Sequence, residues 1–224
     1  IKIGKIREFF KNEELRVYLL LMFGAIAIVT LNILNLSGSI GKAFRDAFFQ
    51  ISSVMTSTGY STADFNKWPE LSRIIILMAM FVGASAGSTG GGIKVIRILL
   101  FSKIGLREIK LAAKPNQICP IRYNNKNVSD VMVRNICAFF ALYMVVFAIS
   151  LFLISFDSKD IVSNTTGILA TLNNIGPGLE VVGPTGNYSS YSDFSKLVFS
   201  ANMLLGRLEL IPLFVLFSGK TWKR

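Results

Sequence analysis

Histidine is absent from the 224-residue sequence, and cysteine occurs only twice. Without imidazole, the chain cannot carry a Ser-His or Cys-His nucleophile pair, an HExxH zinc site or a histidine proton relay. Cys119 and Cys137 form no CxxC pair, so neither a disulfide framework nor a thiolate metal site is indicated. We therefore do not expect an enzyme.

Charged residues are also scarce, at 17% of the chain against 52% hydrophobic residues. The net charge of +11 comes from 24 Lys and Arg against 13 Asp and Glu. A soluble nucleic-acid-binding protein would carry its basic residues on a polar surface, so nucleic acid is not an expected partner. The composition instead indicates a multi-pass membrane protein in contact with lipid.

Four long apolar segments predict membrane-spanning helices, at residues 17–34, 71–101, 133–156 and 194–217. Two shorter, half-apolar segments follow the first and third spans, at 42–55 and 160–172. They are too short to cross a hydrocarbon core of about 30 Å, so we expect them to be re-entrant. The opening segment is basic and amphipathic and has no signal-peptide pattern, and we expect the protein to continue before it.

The order of span, short segment and span occurs twice, which predicts an all-α membrane protein made of two repeats. Placing Gly59 over Gly176 aligns the sequence TSTGY with NNIGP. Placing Gly83 over Gly206 aligns ELSR, at 70–73, with DFSK, at 193–196. The two separations, 117 and 123 residues, differ by six, so we expect a six-residue insertion in the second extracellular loop.

The two aligned glycine motifs follow the re-entrant segments and predict a cation filter. Non-helical backbone at membrane depth persists only where it is buried in protein or lines a wet cavity, and carbonyl groups there can replace the water shell of a cation. The candidate ligands are Thr56, Ser57, Thr58 and Gly59 in the first repeat and Asn173, Asn174, Ile175 and Gly176 in the second. Either motif alone is also typical of an ordinary extracellular turn; their equivalent placement favours pore loops.

The distribution of Lys and Arg predicts the orientation in the membrane. Seventeen of them lie in the opening arm, in the central stretch 94–134 and in the tail, and six lie on the face to which the re-entrant segments open. The predicted organisation is a cytoplasmic arm (1–16), a pore repeat (17–101), a basic cytoplasmic loop (102–132), a second pore repeat (133–218) and a cytoplasmic tail (219–224).

Four motifs together resemble the Trk/Ktr/HKT superfamily of potassium transporters, and above all its bacterial TrkH branch. They are TSTGYSTADFNKWP (56–69), GASAGSTGGGIKVIRI (83–98), ATLNNIGPG (170–178) and MLLGRLEL (203–210). The resemblance covers essentially the whole chain and matches the third and fourth repeats, the C-terminal half, of such a pore.

The resemblance implies a four-repeat pore in the bacterial cytoplasmic membrane, with one filter glycine per repeat and K+ bound at the filter residues named above. It also implies a homodimer and a cytoplasmic ring of nucleotide-binding regulatory subunits. Because the sequence contains only two repeats, the first half of the pore must come from missing residues, another chain or a second copy of this one.

The glycine-rich run at 83–92 breaks the second span. It fails the phosphate-loop pattern because Ile93 stands where lysine is required, and it fails the dinucleotide fingerprint because Val95 replaces a glycine. Close helix packing through small residues is one explanation. The family resemblance implies a gate below the filter, with Gly87, Gly90, Gly91 and Gly92 as its residues.

Arg207 is a second anomaly, because a charged residue inside a span is costly and marks function by default. Glu209 lies on the opposite side of the same helix and cannot be its local partner. We expect Arg207 to face the pore beside the gate; a structural ion pair between Arg207 and a Glu209 on another helix is the alternative.

The predicted function is therefore potassium uptake through a carbonyl-lined filter that is gated by the glycine-rich loop and Arg207. One alternative is a sodium-permeable transporter of the same family, since relatives that pass sodium carry serine in a repeat that is absent here. Another is a non-transporting scaffold or sensor subunit whose glycine and asparagine motifs only pack helices.

Overall fold

The computed structural model describes residues 11–83, 85, 87–88 and 90–208. Within these residues the chain is almost entirely helical, which confirms the all-α class. The helices are α1 (Glu13–Ser37), α2 (Ile40–Met55), α3 (Glu70–Phe81), α4 (Val95–Ala113), α5 (Asp130–Ile154), α6 (Ile161–Leu172) and α7 (Asp193–Arg207), with a hairpin of β1 (Arg122–Tyr123) and β2 (Lys126–Asn127) before α5. Most of the predicted arm, the end of the fourth span and the tail lie outside the described residues.

Helices α1 and α5 are long and apolar enough to cross a membrane. Each has 25 residues, or about 37 Å at the α-helical rise. Asn12 starts α1 by accepting a hydrogen bond from the Glu14 amide at 2.9 Å, and Gly38 ends it in the left-handed conformation, with φ 67°. Large apolar side chains on the sides of the molecule are exposed, among them Leu20, Leu31, Met78, Phe152 and Leu197.

The helices confirm two repeats. The first residues of α1 and α5, Glu13 and Asp130, are 117 residues apart, and so are the ends of α2 and α6, Met55 and Leu172. The starts of α3 and α7, Glu70 and Asp193, are 123 residues apart. The six extra residues of the second repeat therefore lie between its pore helix and its last helix.

Three apolar clusters are buried in the described part of the chain: a small one packs α4 against α5 and the residues next to the hairpin, and the two larger ones belong one to each repeat, each taking in residues of the other. The cluster of the first repeat is centred on Ile33, Ile51 and Met80 and includes Ile175 from the second repeat. The cluster of the second repeat packs α5, α6 and α7 together and includes Ile93 from the first repeat, with Phe139, Tyr143, Ile168, Leu172 and Phe199 among its members. The two repeats are therefore interlocked.

The break in the second span separates α3 from α4, and α4 then continues to Ala113. The boundary that we expected at residue 101 thus falls inside a helix. The rest of the central segment includes the β1–β2 hairpin, whose turn residues Asn124 and Asn125 have φ of 46° and 63°. The Asn124 side chain accepts a hydrogen bond from the Glu13 amide at 2.9 Å, which docks the hairpin on the start of α1.

Candidate ion-binding site

The first candidate filter segment follows directly from the end of α2. The amide of Ser57 donates to the carbonyl of Val54 at 3.1 Å, and the amide of Thr58 donates to the carbonyl of Ser53 at 2.9 Å. Ser57 and Gly59 have positive φ, at 54° and 78°. The amide groups of this segment are therefore turned back towards the helix that precedes it.

The second segment has the same backbone conformation. The amide of Asn174 donates to the carbonyl of Thr171 at 3.1 Å, and that of Ile175 donates to the carbonyl of Ala170 at 2.8 Å. Asn174 and Gly176 have φ of 52° and 114°. Each bond lies 117 residues after its counterpart, so TSTG and NNIG fold alike although they share only the glycine. Asparagine tolerates the left-handed conformation, which explains Asn174 at this position.

The two segments meet at Gly59 and Ile175. A Cβ atom added to Gly59 would lie 1.9 Å from the carbonyl oxygen of Ile175. The close approach therefore requires a residue without a side chain at Gly59. In the first segment, the Thr56 and Thr58 hydroxyl oxygens are 2.7 Å apart, and both side chains are exposed.

The asparagine side chains of the second segment have structural partners. Asn173 is fully buried, and its Nδ2 donates to the Tyr143 hydroxyl at 3.2 Å. The Nδ2 of Asn174 donates to the carbonyl of Met203 on α7 at 3.1 Å. These side chains fix the segment against α5 and α7.

A clamp joins the two repeats beside the filter segments. The side chain of Asn66 donates to the carbonyl of Glu180 at 3.1 Å and accepts from the amide of Glu180 at 2.9 Å. The Glu180 carboxylate also forms an ion pair with Arg73, which in turn contacts Glu70 at 3.0 Å. The sequence did not reveal this clamp, because its members are more than 100 residues apart.

The glycine-rich break forms a loop whose two ends are joined. The amide of Gly83 donates to the carbonyl of Ile93 at 2.9 Å, and Val82 and Ile93 form an isolated parallel β-bridge. Inside the loop, the amide of Gly90 donates to the Ser88 hydroxyl at 3.1 Å. The contacts with Ile93 hold the residues just after α3 next to the residue that precedes α4 by two positions.

The loop passes directly beneath the second filter segment. A Cβ added to Gly92 would lie 2.1 Å from Oδ1 of Asn173, and one added to Gly91 would lie 2.9 Å from the carbonyl oxygen of Asn173. Gly87, by contrast, has open space around it and a φ of 86°. The structure thus brings Gly91 and Gly92 to the filter base and leaves Gly87 away from it.

Arg207 is the last residue of α7, and its side chain is exposed. The residue before it, Gly206, packs closely against the end of α6, since a Cβ atom added to Gly206 would lie 1.8 Å from the carbonyl oxygen of Leu172. Gly206 and Gly92 line one cleft, so the end of α7 lies next to the glycine-rich loop. Glu209 lies outside the described residues.

Comparison with protein families gives one match over nearly the whole chain. The model of the TrkH family, described as a cation transport protein, matches residues 2–224. The Trk system potassium uptake protein TrkH of Escherichia coli K12 is 36% identical over 220 residues, which are 97% of this chain and 45% of that protein. The protein of the same name from Halomonas elongata is 32% identical, over 98% of this chain and 45% of its own length.

A solved structure has the same fold. The crystal structure of the potassium transporter TrkH from Vibrio parahaemolyticus superposes with a TM-score of 0.85 and 33% identity. The match covers 95% of this chain and 46% of that one. The chain therefore spans a little under half the length of the relatives that it matches.

Proposed function

The chain belongs to the TrkH family of cation transport proteins, a family of membrane transporters and not of enzymes, and on this premise we propose that it forms half of a potassium-uptake pore in the bacterial inner membrane. Two relatives named for potassium uptake support this proposal. The chain corresponds to the third and fourth repeats, with the other two completing the ring. The observation that carries the proposal is the pair of identical turns that meet at Gly59 and Ile175.

The filter binds K+ through main-chain carbonyl groups of residues 56–59 and 173–176. Their amide groups bond back to α2 and α6, which leaves the carbonyl groups as the polar groups available to a dehydrated cation. Both segments follow the C-terminal end of a helix, where the helix dipole is negative and favours a cation. The Thr56 and Thr58 hydroxyl groups add oxygen atoms near the first segment.

The glycine-rich loop is the gate of this pore. This role is supported by the close approach of Gly91 and Gly92 to Asn173 in the second filter segment. Arg207, at the adjacent end of α7, contributes a positive charge that repels cations while the loop is closed. Helix α4 begins two residues after Ile93, so a force on α4 reaches the loop directly.

The expected partners act on the cytoplasmic side. Lys103 on α4 donates to the carbonyl of Arg122 at 2.8 Å and pairs with Glu13, which ties α4 to the hairpin and to α1. This connected surface is where a nucleotide-binding regulatory ring would contact the transporter and move α4. A second copy of the whole transporter completes a homodimer.

The proposal is tested by rubidium uptake into potassium-requiring cells that express the complete transporter with all four repeats. We expect uptake that K+ inhibits and Na+ does not. Gly176→Ser should reduce the discrimination between K+ and Na+, because a side chain is strained at a φ of 114° even with open space around it. Gly59→Ser should do the same, with an added collision against Ile175.

Gly24→Ser is the matched control, since Gly24 lies in α1 with nothing within 4 Å of an added Cβ. It should leave discrimination unchanged. A complete transporter that reaches the membrane but takes up no rubidium would favour a scaffold or sensor role. Discrimination that survives both filter substitutions would remove these glycines from the filter, and equal uptake of Na+ by the unmodified protein would indicate a sodium-permeable transporter.

A further inference from the structure

A tyrosine donates a hydrogen bond to the carbonyl group of one filter glycine. The Tyr188 hydroxyl lies 2.9 Å from the carbonyl oxygen of Gly176. Tyr188 begins a short 3-10 helix, Tyr188–Ser190, between the second filter segment and α7. In the first repeat, Phe65 stands five residues before α3, as Tyr188 stands five residues before α7, and it likewise begins a 3-10 helix, Phe65–Lys67, but phenylalanine has no hydroxyl group.

The ring of Tyr188 is held on several sides. The Phe199 ring packs edge-on against it, with centroids 5.0 Å apart, and the Tyr191 ring lies 6.4 Å away. On the α6 side, Gly167 leaves just enough room, since an added Cβ would lie 3.6 Å from Cε1 of Tyr188 and 3.3 Å from the Phe199 ring. Because the ring is fixed, the position of its hydroxyl is fixed too.

A fixed donor behind a carbonyl group controls where that carbonyl points. The oxygen has two lone pairs, so Gly176 can accept from Tyr188 with one and face a cation with the other. Without the donor, a glycine at φ 114° has wide conformational freedom, and its carbonyl can rotate away from the ion path. Burial raises the pKa of the Tyr188 phenol, so it remains a donor at neutral pH.

The first repeat restrains its filter differently. There the Ser53 hydroxyl on α2 donates to the carbonyl of Tyr60 at 2.6 Å, one residue beyond Gly59. The residue aligned with Ser53 in the second repeat is Ala170, which has no hydroxyl group. The hydroxyl group that Ser53 provides next to the filter glycine therefore has no counterpart at Ala170, and in the second repeat Tyr188 provides a hydroxyl group to the filter glycine itself.

We propose that Tyr188 is a positioning residue that sets ion discrimination in the second filter segment by holding the Gly176 carbonyl group. The inference rests on the proposed function of that segment. It assigns a role in selectivity to one hydroxyl group, which the equivalent residue of the first repeat, Phe65, does not have.

The test is Tyr188→Phe in the complete transporter, which removes the hydroxyl and keeps the ring. We expect the ratio of K+ to Na+ uptake to fall about three- to tenfold, the range expected for one hydrogen bond. Maximal rubidium uptake should be largely retained, because the pore remains open. Tyr191→Phe is the matched control: it lies in the same aromatic cluster, and its hydroxyl bonds to Asn164 at 3.0 Å and not to the filter.

The outcomes separate this inference from the proposed function. An unchanged ratio in Tyr188→Phe, together with a lowered ratio in Gly176→Ser, overturns the role of Tyr188 and leaves the filter assignment intact. An equal fall in both tyrosine variants indicates loss of packing and also overturns it. If neither Gly59→Ser nor Gly176→Ser affects the ratio, the filter assignment itself fails.

A second variant decides the question if Tyr188→Phe does not fold. A polyfluorinated tyrosine incorporated at position 188 keeps the ring and the hydroxyl but makes the phenol much more acidic. The pKa of the fluorinated phenol in the folded transporter is first measured from its ultraviolet absorbance, and the ratio of K+ to Na+ uptake should fall as the pH rises through that value and the donor is lost. A flat profile through the measured pKa of the fluorinated protein would contradict the proposal.

Discussion

Asn66 and Glu180 form a reciprocal pair of hydrogen bonds, side chain to backbone, that joins the two repeats across 114 residues of sequence. Glu180 has a positive φ of 54°, an unfavourable conformation for a residue with a side chain, which the surrounding contacts must maintain. Gly183 leaves the space that Asn66 fills, because a Cβ added there would lie 2.1 Å from the Asn66 Nδ2. The outer ends of the repeats are therefore joined at one point beside the filter.

We expect Asn66→Ala to lower the free energy of unfolding by about 1–3 kcal/mol, since two hydrogen bonds are lost. Thermal unfolding of the purified transporter in detergent measures the change. Asn187→Ala is the control, because the Asn187 side chain accepts a hydrogen bond from the amide of the nearby Ser189 at 3.0 Å, a contact within one loop. Equal melting temperatures for the two variants would show that the clamp does not hold the repeats together.

The contact between the glycine-rich loop and Asn173 predicts different effects at two glycines. Gly92→Ala and Gly87→Ala introduce similar backbone strain, at φ of 82° and 86°, but only the methyl group at 92 collides with Asn173. We expect Gly92→Ala to displace the loop and raise rubidium uptake severalfold, and Gly87→Ala to change it little. Similar uptake in both variants would mean that this contact does not control conduction.

Arg207 should act through its charge. Arg207→Ala is expected to increase ion flux, because the positive charge that opposes cations in the closed pore is removed. Arg207→Lys keeps the charge and should stay close to the unmodified transporter. Rubidium flux into liposomes gives the comparison, and unchanged or reduced flux in correctly folded Arg207→Ala protein would exclude the gate role.

The stability that Asp160 gives to the start of α6 should depend on pH. Burial opposes its ionisation, but hydrogen bonds from the Ser163 hydroxyl and amide outweigh that effect and lower the pKa of the Asp160 carboxyl group. The amide bond is 2.8 Å long. A lowered folded-state pKa means that the stabilisation is complete above the unfolded-state value of about 3.9 and is lost as pH falls through the folded-state pKa.

The measurement is the melting temperature as a function of pH for the unmodified protein and Asp160→Asn. Asparagine also caps helices well but carries no charge, so the advantage of aspartate should shrink as the pH is lowered from about 6 to about 3. Asp160→Ala loses the cap itself and should cost about 1 kcal/mol at neutral pH. A constant difference between aspartate and asparagine over this range would contradict the linkage.

The repeat could be predicted from sequence because it depends on local signals that occur twice. Gly59 and Gly176 stand at equivalent places, and the structure gives both a positive φ after equivalent helices. The hairpin after α4 also has a signal in the sequence, the Asn124-Asn125 pair that suits a two-residue turn. Its strands have two residues each, however, which is too short for an alternating pattern of apolar residues to be recognised.

Contacts between distant residues could not be predicted in the same way. The bonds of Asn66 to Glu180 and of Tyr188 to Gly176 depend on how the two repeats pack and on the path of the longer loop. The buried side chain of Asn173 is a similar case, since only the position of Tyr143 on α5 shows that it is directed away from the filter. The sequence predicts the length of the insertion but not the hydrogen bond from the Tyr188 hydroxyl to the carbonyl group of Gly176.

The hydrogen bond from Tyr188 to Gly176 has a consequence for symmetry. In a pore of four identical subunits, a tyrosine behind one carbonyl group would occur four times around the axis. When the repeats have different sequences within one chain, such a tyrosine can occur in a single repeat. The carbonyl oxygen atoms around the ion then need not be equivalent. Rotational symmetry of such a pore is only approximate, and each of its quarters can be adjusted by mutation independently of the others.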